Sequence, residues 1–304
     1  KRETYKKSKE RIGERKMKKS KLAKVLTVSL AALMVFGLAS CGGGSGKVSD
    51  KDITVISREE GSGTRDAFTE LTGVLQDDVD KTVDTAEISN STSVVTQSVA
   101  GNDAAIGYIS LGSLDDTVKA VKVDGVEATV DNIKSGDYKI QRPFNIVTKG
   151  EVKELPADFI KFIMSKDGQK IIEDEGYISV NDNAEAYKAS GLKGSITLAG
   201  STSVSPVMEV LADKYKELNS GVTIEIQQTG SGAGIQSTTE GVCDIGMASR
   251  ELKDEETSQG LKSEEIALDG IAVIVNKDNG VEDLSMDQIM KIFTGEITNW
   301  ADVK

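Results

Sequence analysis

Three segments of the chain share one order of hydrophobic and polar positions: a short run of β-forming residues, a turn rich in Gly, Ser and Thr, and a helical pattern. The runs begin at residues 53, 195 and 222, and the turns after them read SREEGSGT, GSTS and TGSGAG. In the third run Val222 and Ile224 alternate with polar residues, which is typical of a strand with one buried face. After Pro206 the apolar residues recur at helical spacing, and Pro is favourable in the first turn of a helix. Because strands and helices alternate, we predict an α/β fold with largely parallel sheets.

Each of these turns places backbone N–H groups and hydroxyls at the N-terminus of a predicted helix, where the helix dipole attracts an anion. One such turn is weak evidence, since Ser and Thr are also common N-caps, but three favour an anion site. None is a P-loop, because GxxxxGK[ST] is absent, and the segment GSGTRD at residues 61–66 lacks the third Gly of a dinucleotide-binding turn. We therefore expect a small anion that is bound whole.

Arg58 directly precedes the first turn and is the candidate for the opposite charge. Its planar guanidinium suits two oxygens of a tetrahedral anion. In this interpretation Glu60 fixes the guanidinium, whereas the alternative is a surface ion pair with Glu59 or Glu60.

The composition excludes several kinds of chemistry. The 304 residues include no His, which excludes Ser-His-Asp and Cys-His nucleophiles and every His-ligated metal site. The two Cys residues, Cys41 and Cys243, do not suffice for a zinc cluster, so we expect no metal and no other cofactor. The net charge is −12, and the first 40 residues are basic, so the remainder is strongly acidic and should repel nucleic acid.

The N-terminus has the pattern of a secretory signal. Basic residues at 16–24 precede a 16-residue apolar run at 25–40, which is shorter than the roughly 20 residues of a membrane-spanning helix. Residues 1–15, upstream of Met17, are very polar, which is typical of a mis-assigned start. We assign residues 1–40 to a signal peptide and upstream segment and exclude them from the fold.

The end of the apolar run, LASC at residues 38–41, is similar to the lipobox of bacterial lipoproteins, in which the Cys becomes the lipid-bearing first residue. The Gly-rich stretch after it suits a flexible tether, so we assign residues 41–50 to the lipidated Cys41 and its tether. The alternative is an incidental thiol. We expect an extracytoplasmic protein anchored through Cys41 to the outer face of the bacterial cell membrane.

Segments of both halves of the chain resemble the phosphate-binding protein of the bacterial ABC-type phosphate importer. They are SREEGSGTRDAF, AAIGYISLGSL and YKIQRPFNIVTKG in the first half, and LAGSTSVSP, GSGAGIQS and DIGMASRELKDEE in the second. The likeness covers nearly all of residues 51–304. It implies a two-lobed, periplasmic-binding-protein-like (type II) α/β fold with a hinge and an interlobe cleft.

The order of the segments is exchanged, because those in the first half look like the C-terminal half of the family. The resemblance therefore implies a circular permutation, with the usual ends joined through residues 181–193 and the new ends between Trp300 and Ile53. A fragment of two tandem copies is the alternative. The family's hinge strands correspond to residues 139–148 and 271–276, which implies a continuous lobe at 140–276 and a discontinuous lobe of 51–139 plus 277–304.

The resemblance also implies which residues contact the anion. Carried over one by one, the positions are Arg58, Ser62, Gly63, Thr64, Thr202, Ser203, Ser231 and Ser249.

One position departs from the family. Its best-known members read DFGASD where this chain reads DIGMASR, so Arg250 replaces the Asp that accepts the proton of hydrogen phosphate. Arg cannot accept a hydrogen bond, so another group must do so, or the discrimination against sulfate is lost. Asp269 is our first candidate for this acceptor, with Glu60 and Glu251 after it. Arg250 either binds the anion itself or forms a surface ion pair with Glu251 or Glu255.

The sequence thus predicts a monomeric receptor, not an enzyme, that binds inorganic phosphate and delivers it to an ABC permease. The alternatives are a receptor for another oxyanion, such as sulfate, molybdate or tungstate, a surface phosphatase with Ser62 as its nucleophile, and a sensor or adhesive lipoprotein with a vestigial cleft.

Overall fold

The computed structural model describes residues 50–303, so the predicted signal peptide and Cys41 lie outside the described residues. The strands are β1 (Thr54–Arg58), β2 (Leu75–Gln76), β3 (Val79–Asp80), β4 (Glu87–Ser89), β5 (Ala105–Ser110), β6 (Val118–Ala120), β7 (Lys122–Val123), β8 (Gln141–Lys149), β9 (Ile178–Ser179), β10 (Gly194–Gly200), β11 (Val222–Gln228), β12 (Ile245–Ala248), β13 (Leu261–Asn276) and β14 (Asp283–Leu284). The helices are α1 (Gly63–Thr72), α2 (Thr92–Gly101), α3 (Val130–Lys134), α4 (Glu154–Ile163), α5 (Lys166–Asp174), α6 (Ser205–Leu218), α7 (Ser231–Thr239), α8 (Asp254–Thr257) and α9 (Met286–Phe293).

One large sheet runs through this part of the chain, in the strand order β11-β10-β12-β8-β13-β5-β1-β4. The strands at each side are parallel: β10 pairs with β11 and β12, and β1 pairs with β4 and β5. The central strands β8 and β13 pair with each other antiparallel. The predicted α/β fold is confirmed, but the sheet is mixed rather than largely parallel, because β8 and β13 at its centre pair antiparallel with each other and with β12 and β5.

Two large hydrophobic cores and two smaller hydrophobic clusters lie on this sheet. The first contains the stacked rings of Phe68 and Tyr108, with Phe293 against them, and we call the elements around it half A. The second contains Phe159 and Tyr215, and we call the elements around it half B. Parallel strands with helices packed against them produce both cores, because such strands must be covered on their faces.

Strand β13 belongs to both halves. Its residues 261–270 pair with β8 in half B, and its residues 271–276 pair with β5 and β6 in half A. We expected residues 140–276 to form one lobe, whereas Ile271, Val273 and Val275 pack in the core of half A. The chain therefore crosses between the halves near Gly270, about six residues before the expected boundary.

Residues at the two ends of the described chain pair with each other. The N–H of Ile53 donates to the carbonyl of Thr298 at 2.8 Å, and the N–H of Trp300 donates to the carbonyl of Lys51 at 3.0 Å. The Trp300 ring is buried in half A, and its Nε1 donates to the carbonyl of Ala104 at 2.9 Å. Within residues 50–303 we find no helix that combines the length and apolar character needed to span a membrane.

Candidate functional site

The three predicted turns meet where half A contacts half B. The helices α1, α6 and α7 begin directly after the C-terminal ends of β1, β10 and β11, as predicted. The parallel strands β10 and β11 end at one edge of the sheet, whereas β1 runs in the opposite direction, so the N-terminus of α1 meets those of α6 and α7 from the other half, across the boundary. The three turns and the residue that follows β12 bring together buried hydroxyl groups from both halves. These belong to Ser62, Thr64, Thr202, Ser203, Ser231 and Ser249. We call these six residues the hydroxyl cluster.

Direct contacts join the two sides of the hydroxyl cluster. The hydroxyl oxygens of Thr64 in half A and Ser203 in half B lie 2.9 Å apart. The N–H of Gly232 donates to the carbonyl of Gly61 across the same boundary at 2.9 Å. At Gly63, a Cβ atom would lie only 2.5 Å from the Oγ of Ser231, so the backbone of α1 approaches half B as closely as only Gly allows.

The half B hydroxyls form a chain of hydrogen bonds. The Oγ atoms of Ser231 and Ser249 lie 3.3 Å apart, and the N–H of Ser249 donates to the Oγ of Ser231 at 3.2 Å. Ser201, which the sequence analysis did not single out, donates to the Oγ of Ser249 at 3.0 Å and accepts the N–H of Ser203. Hydroxyls can donate or accept, so this group adapts to whatever oxygen atoms it meets.

Arg58 is the cation of the site, and only 2% of it is exposed. Its Nη2 donates to the Oγ1 of Thr202 at 3.1 Å, across the boundary between the halves. Its Nε and Nη2 also donate to the two carboxylate oxygens of Glu59, both at 2.7 Å. From the sequence, Glu60 was expected to fix the guanidinium. The assignment was wrong, because Glu60 is exposed at the turn and Glu59 holds the guanidinium.

Thr92 was missed by the sequence analysis. It is the first residue of α2, it is buried, and its Oγ1 lies 3.1 Å from the Oγ of Ser203 and 3.3 Å from the Oγ1 of Thr202. The signal was present, since the turn NSTS at residues 90–93 repeats the pattern of the other three. The strand before it, β4, has only three residues, too few for a hydrophobic pattern.

Arg250 lies at the boundary but is occupied by carboxylates. Its Nη1 and Nη2 donate to both oxygens of Glu256 at 2.8 Å, and its Nε donates to Asp66 of half A at 2.9 Å. The expected ion-pair partners, Glu251 and Glu255, were wrong, because the turn into α8 brings Glu256 into place. Burial raises the pKa of Glu256, but the hydrogen bonds from Arg250 and from the N–H of Lys253, together with the positive charges of both residues, outweigh it, so that the pKa lies below its ordinary value.

Asp269 lies on β13 opposite Arg142 of β8, behind the hydroxyl cluster. Both side chains are buried; the Nη2 of Arg142 donates to Oδ2 of Asp269 at 3.2 Å, and the hydroxyl of Ser110 donates to Oδ1 at 2.9 Å. Burial raises the pKa of Asp269 to about 6, although Arg142 opposes this effect. The Nη1 of Arg142 donates to the carbonyl of Ser249, so this pair supports the cluster from behind.

Two cavities flank the hydroxyl cluster. One, of about 580 Å³, is lined by polar residues that include Thr92 and Thr202. The other, of about 430 Å³, is lined by Arg142, Arg250 and Asp66 among others. In the described part of the chain, no group of three or more His, Cys, Asp or Glu residues has an arrangement that would hold a metal ion.

The arrangement provides one guanidinium, several hydroxyls and the N-termini of three helices around one point. A charge-assisted hydrogen bond contributes about 1.5–3 kcal/mol net, so a few of them can offset the dehydration of a small anion. In comparisons with known proteins, the family model of the PBP superfamily domain matches residues 38–167 and 185–304. The chain belongs to the PBP superfamily.

Two relatives match this chain over nearly their whole length, and a third matches over less than half of its own length. The phosphate-binding protein PstS 2 of Streptococcus agalactiae serotype V is 52% identical over 294 residues, which cover 94% of this chain and 99% of that protein. PstS 2 of Streptococcus pneumoniae serotype 4 is 47% identical over 291 residues, which cover 93% and 100%. The phosphate-binding protein PstS of Bacillus subtilis is 38% identical over 127 residues, 41% of this chain and 42% of its own length.

A crystal structure supports the same family. The phosphate-binding protein of a phosphate ABC transporter from Streptococcus pneumoniae TIGR4 is 49% identical, with a TM-score of 0.68. The match covers 84% of this chain and 100% of that one. The predicted resemblance to phosphate-binding proteins of this superfamily is confirmed.

Proposed function

We propose that the protein is an extracytoplasmic receptor that binds inorganic phosphate between half A and half B and delivers it to an ABC-type permease. One observation carries the proposal: Arg58 and the hydroxyl cluster bring donors from both halves to a single point. The full-length relatives are phosphate-binding proteins by name, which supports phosphate as the anion. We propose that the protein acts as a monomer, which agrees with a site whose two sides both come from one chain.

The eight proposed phosphate contacts are those that the family resemblance suggested. Arg58 supplies the charge, the hydroxyls of the cluster donate to the oxygens, and the backbone of Gly63 allows their close approach. The partners of Asp269 are Arg142 and Ser110. Asp269 therefore acts on the hydroxyl cluster through Arg142, which donates to the carbonyl of Ser249. Arg250 contributes to the site through its ion pair with Asp66, which links half B to half A.

We propose that the site performs no chemistry on the anion. Ser62, the nucleophile of the alternative phosphatase, caps α1 by accepting the N–H of Arg65. Glu59 is held by Arg58 through both carboxylate oxygens, so it is not positioned to take a proton from Ser62. A nucleophilic Ser needs a base within hydrogen-bond reach.

Isothermal titration calorimetry of the chain from Gly42 onward with sodium phosphate tests the proposal. We expect micromolar or tighter affinity, at least about −8 kcal/mol, and a loss of at least 100-fold in Arg58→Ala. Lys214→Ala, which removes an exposed charge on α6, is the matched control and should bind as the original chain does. Absence of binding to phosphate would overturn the proposal, and displacement of phosphate by equimolar sulfate would favour the general oxyanion receptor.

The anchor is a separate proposal. We propose that Cys41 carries the lipid that holds the receptor at the membrane. In cells, Cys41→Ser should move the protein from the membrane fraction to the medium and abolish labelling by a radioactive fatty acid, whereas Cys243→Ser should do neither. Release of the unaltered protein into the medium would contradict the anchor.

We also propose that the chain is a circular permutation of the more usual family order. Two observations support it: residues 51–53 lie beside residues 298–300, and the match to the Bacillus subtilis relative covers only 42% of that protein. A chain joined from 303 to 51 and reopened within residues 181–193 should fold and bind phosphate with unchanged affinity. If that chain fails to fold while the original one does, this proposal fails.

A further inference from the structure

Thr92 has contacts with three of the residues to which we assign phosphate binding. Its Oγ1 lies 3.1 Å from the Oγ of Ser203 and 3.3 Å from the Oγ1 of Thr202, and it accepts from the Nη1 of Arg58 at 3.4 Å. Its backbone N–H points to the same place, since it donates to the Oγ1 of Thr202 at 3.3 Å. Only 4% of the residue is exposed.

The topology explains why Thr92 reaches this point. Strand β4 is parallel to β1, and Ser89 at its end pairs with Arg58. The carbonyl of Ser89 accepts the Nε of Arg58 at 3.3 Å, so the chain turns into α2 directly beside the guanidinium. The N-terminus of α2, a helix of ten residues, therefore lies at the same sheet edge as that of α1, and the Thr92 hydroxyl there meets Thr202 and Ser203 of half B.

The hydrogen bonds of Arg58 show which edge of its guanidinium remains for an anion. Glu59 occupies the edge formed by Nε and Nη2, so the other edge, formed by Nη1 and Nη2, is the one that faces Thr92 and Thr202. An oxyanion held by that edge lies within reach of both threonine hydroxyls. The dipole of α2 adds to the attraction.

We propose that Thr92 is a further ligand of the anion, which donates from its hydroxyl and its backbone N–H to the oxygen that Arg58 binds through Nη1. This inference rests on the proposed phosphate-binding function. With Thr92 as a ligand, α2 is the fourth helix whose N-terminus lies at the site, and the second such helix from half A. Thr92 also lines the cavity of about 580 Å³, so it is the ligand at that side of the cluster.

Calorimetric titration with sodium phosphate tests the role. Thr92→Val keeps the shape of the side chain but removes the hydroxyl, and we expect its affinity to fall at least tenfold, whereas Thr92→Ser should stay within threefold of the original chain. Gln97→Ala changes an exposed residue of the same helix that lines the same cavity, and it should bind normally. Thr92→Ala, with the same expected loss, replaces Thr92→Val should the latter not fold.

The outcomes separate the two proposals. If the original chain binds no phosphate, the proposed function fails and this inference with it. If the original chain binds and Thr92→Val or Thr92→Ala binds equally well, only the inference is overturned. A merely structural Thr92 would lower the melting temperature of the phosphate-free protein and leave the affinity intact, so both are measured for each variant.

Discussion

The hydroxyl oxygens of Thr64 and Ser203 lie 2.9 Å apart, although 139 residues separate them in the sequence. Thr64 belongs to the first turn of α1 in half A, and Ser203 precedes α6 in half B. An anion bound at this point as we propose would receive one hydroxyl from each half, so we expect binding to be coupled to the contact between the halves.

We therefore expect Thr64→Val and Ser203→Ala each to weaken phosphate binding about tenfold, or about 1.4 kcal/mol. The fold-loss of affinity in the double variant should be smaller than the product of the two single fold-losses, because residues in contact couple by about 0.5–3 kcal/mol. A double-mutant cycle measured by calorimetry gives the coupling. Thr72→Val is the control on α1, because that hydroxyl is bonded to the carbonyl of Phe68. Strictly additive losses would contradict the shared role.

The difference between Glu59 and Glu60 provides a matched pair of variants. Glu59→Gln leaves one amide donor facing the donors of Arg58, so the guanidinium loses a bond of about 1.5–3 kcal/mol, partly offset by the removal of a negative charge near the anion. We expect a three- to tenfold weaker affinity for phosphate, measured by calorimetry. Glu60→Gln, one residue on and exposed, should have no effect; an equal loss in both would contradict the assignment of Glu59.

The eight proposed ligands were expected from the family resemblance, and all of them except Ser249 also lie in the three turns whose repeated local pattern indicates an anion site. The same argument would have included Thr92, but β4 is too short to be recognised by its pattern. The side chain that fixes Arg58 was not predictable. Whether Glu59 or Glu60 turns towards the guanidinium depends on the backbone of the turn, where Gly61 has a φ of 80°.

Contacts between distant parts of the chain could also not be predicted from the sequence. The pairing of Arg250 with Asp66 depends on how half A meets half B, and nothing local in the sequence specifies it. The register of β8 against β13 is shifted by an irregularity between Glu265 and Ala267, so the Arg142–Asp269 pair could not be counted from the sequence. Local patterns therefore predicted the elements and turns, and packing decided their partners.

The ion pair between Arg250 and Asp66 joins the halves beside the site. Asp66→Asn should leave Arg250 bound to Glu256 while it removes this link, and a partly exposed pair is worth up to about 1 kcal/mol. We expect phosphate affinity to fall up to fivefold, with a smaller difference between variant and original at high salt. Asp287→Asn, which removes an exposed pair within α9, is the control. An unchanged affinity at low salt would show that the link does not contribute to binding.

The buried pair of Arg142 and Asp269 should matter for stability. Asp269→Ala leaves the guanidinium buried without its counter-charge, which costs about 3–5 kcal/mol. Urea denaturation measures this loss in the free energy of unfolding. The double variant Arg142→Met, Asp269→Ala removes both charges and should recover a large part of it. A single variant as stable as the original would mean that water or another group compensates Arg142.

Asp158 fixes the segment at residues 181–193, where we propose that the usual chain ends are joined. Its carboxylate accepts hydrogen bonds from Tyr215 at 2.7 Å and Ser190 at 2.8 Å, and also from Tyr187. Burial raises its pKa, but these hydrogen bonds lower it more, so that it lies below the ordinary value of 3.8. A carboxyl whose pKa is lowered by folding stabilises the protein above its unfolded pKa and loses this contribution as the pH falls through the folded one.

Asp158→Ala should therefore lower the free energy of unfolding at pH 7 by about 1–3 kcal/mol, since the hydroxyls lose a charged acceptor. The difference from the original chain should shrink below pH 4, where the original carboxyl also becomes protonated. Urea denaturation at pH 7, 5 and 3 measures it, with Asp213→Ala, an exposed residue of α6, as the control. Because Tyr187 and Ser190 lie in the joining segment, proteolysis there should also accelerate in Asp158→Ala. A difference that is constant over this pH range would mean that the carboxylate charge is not what fixes the segment.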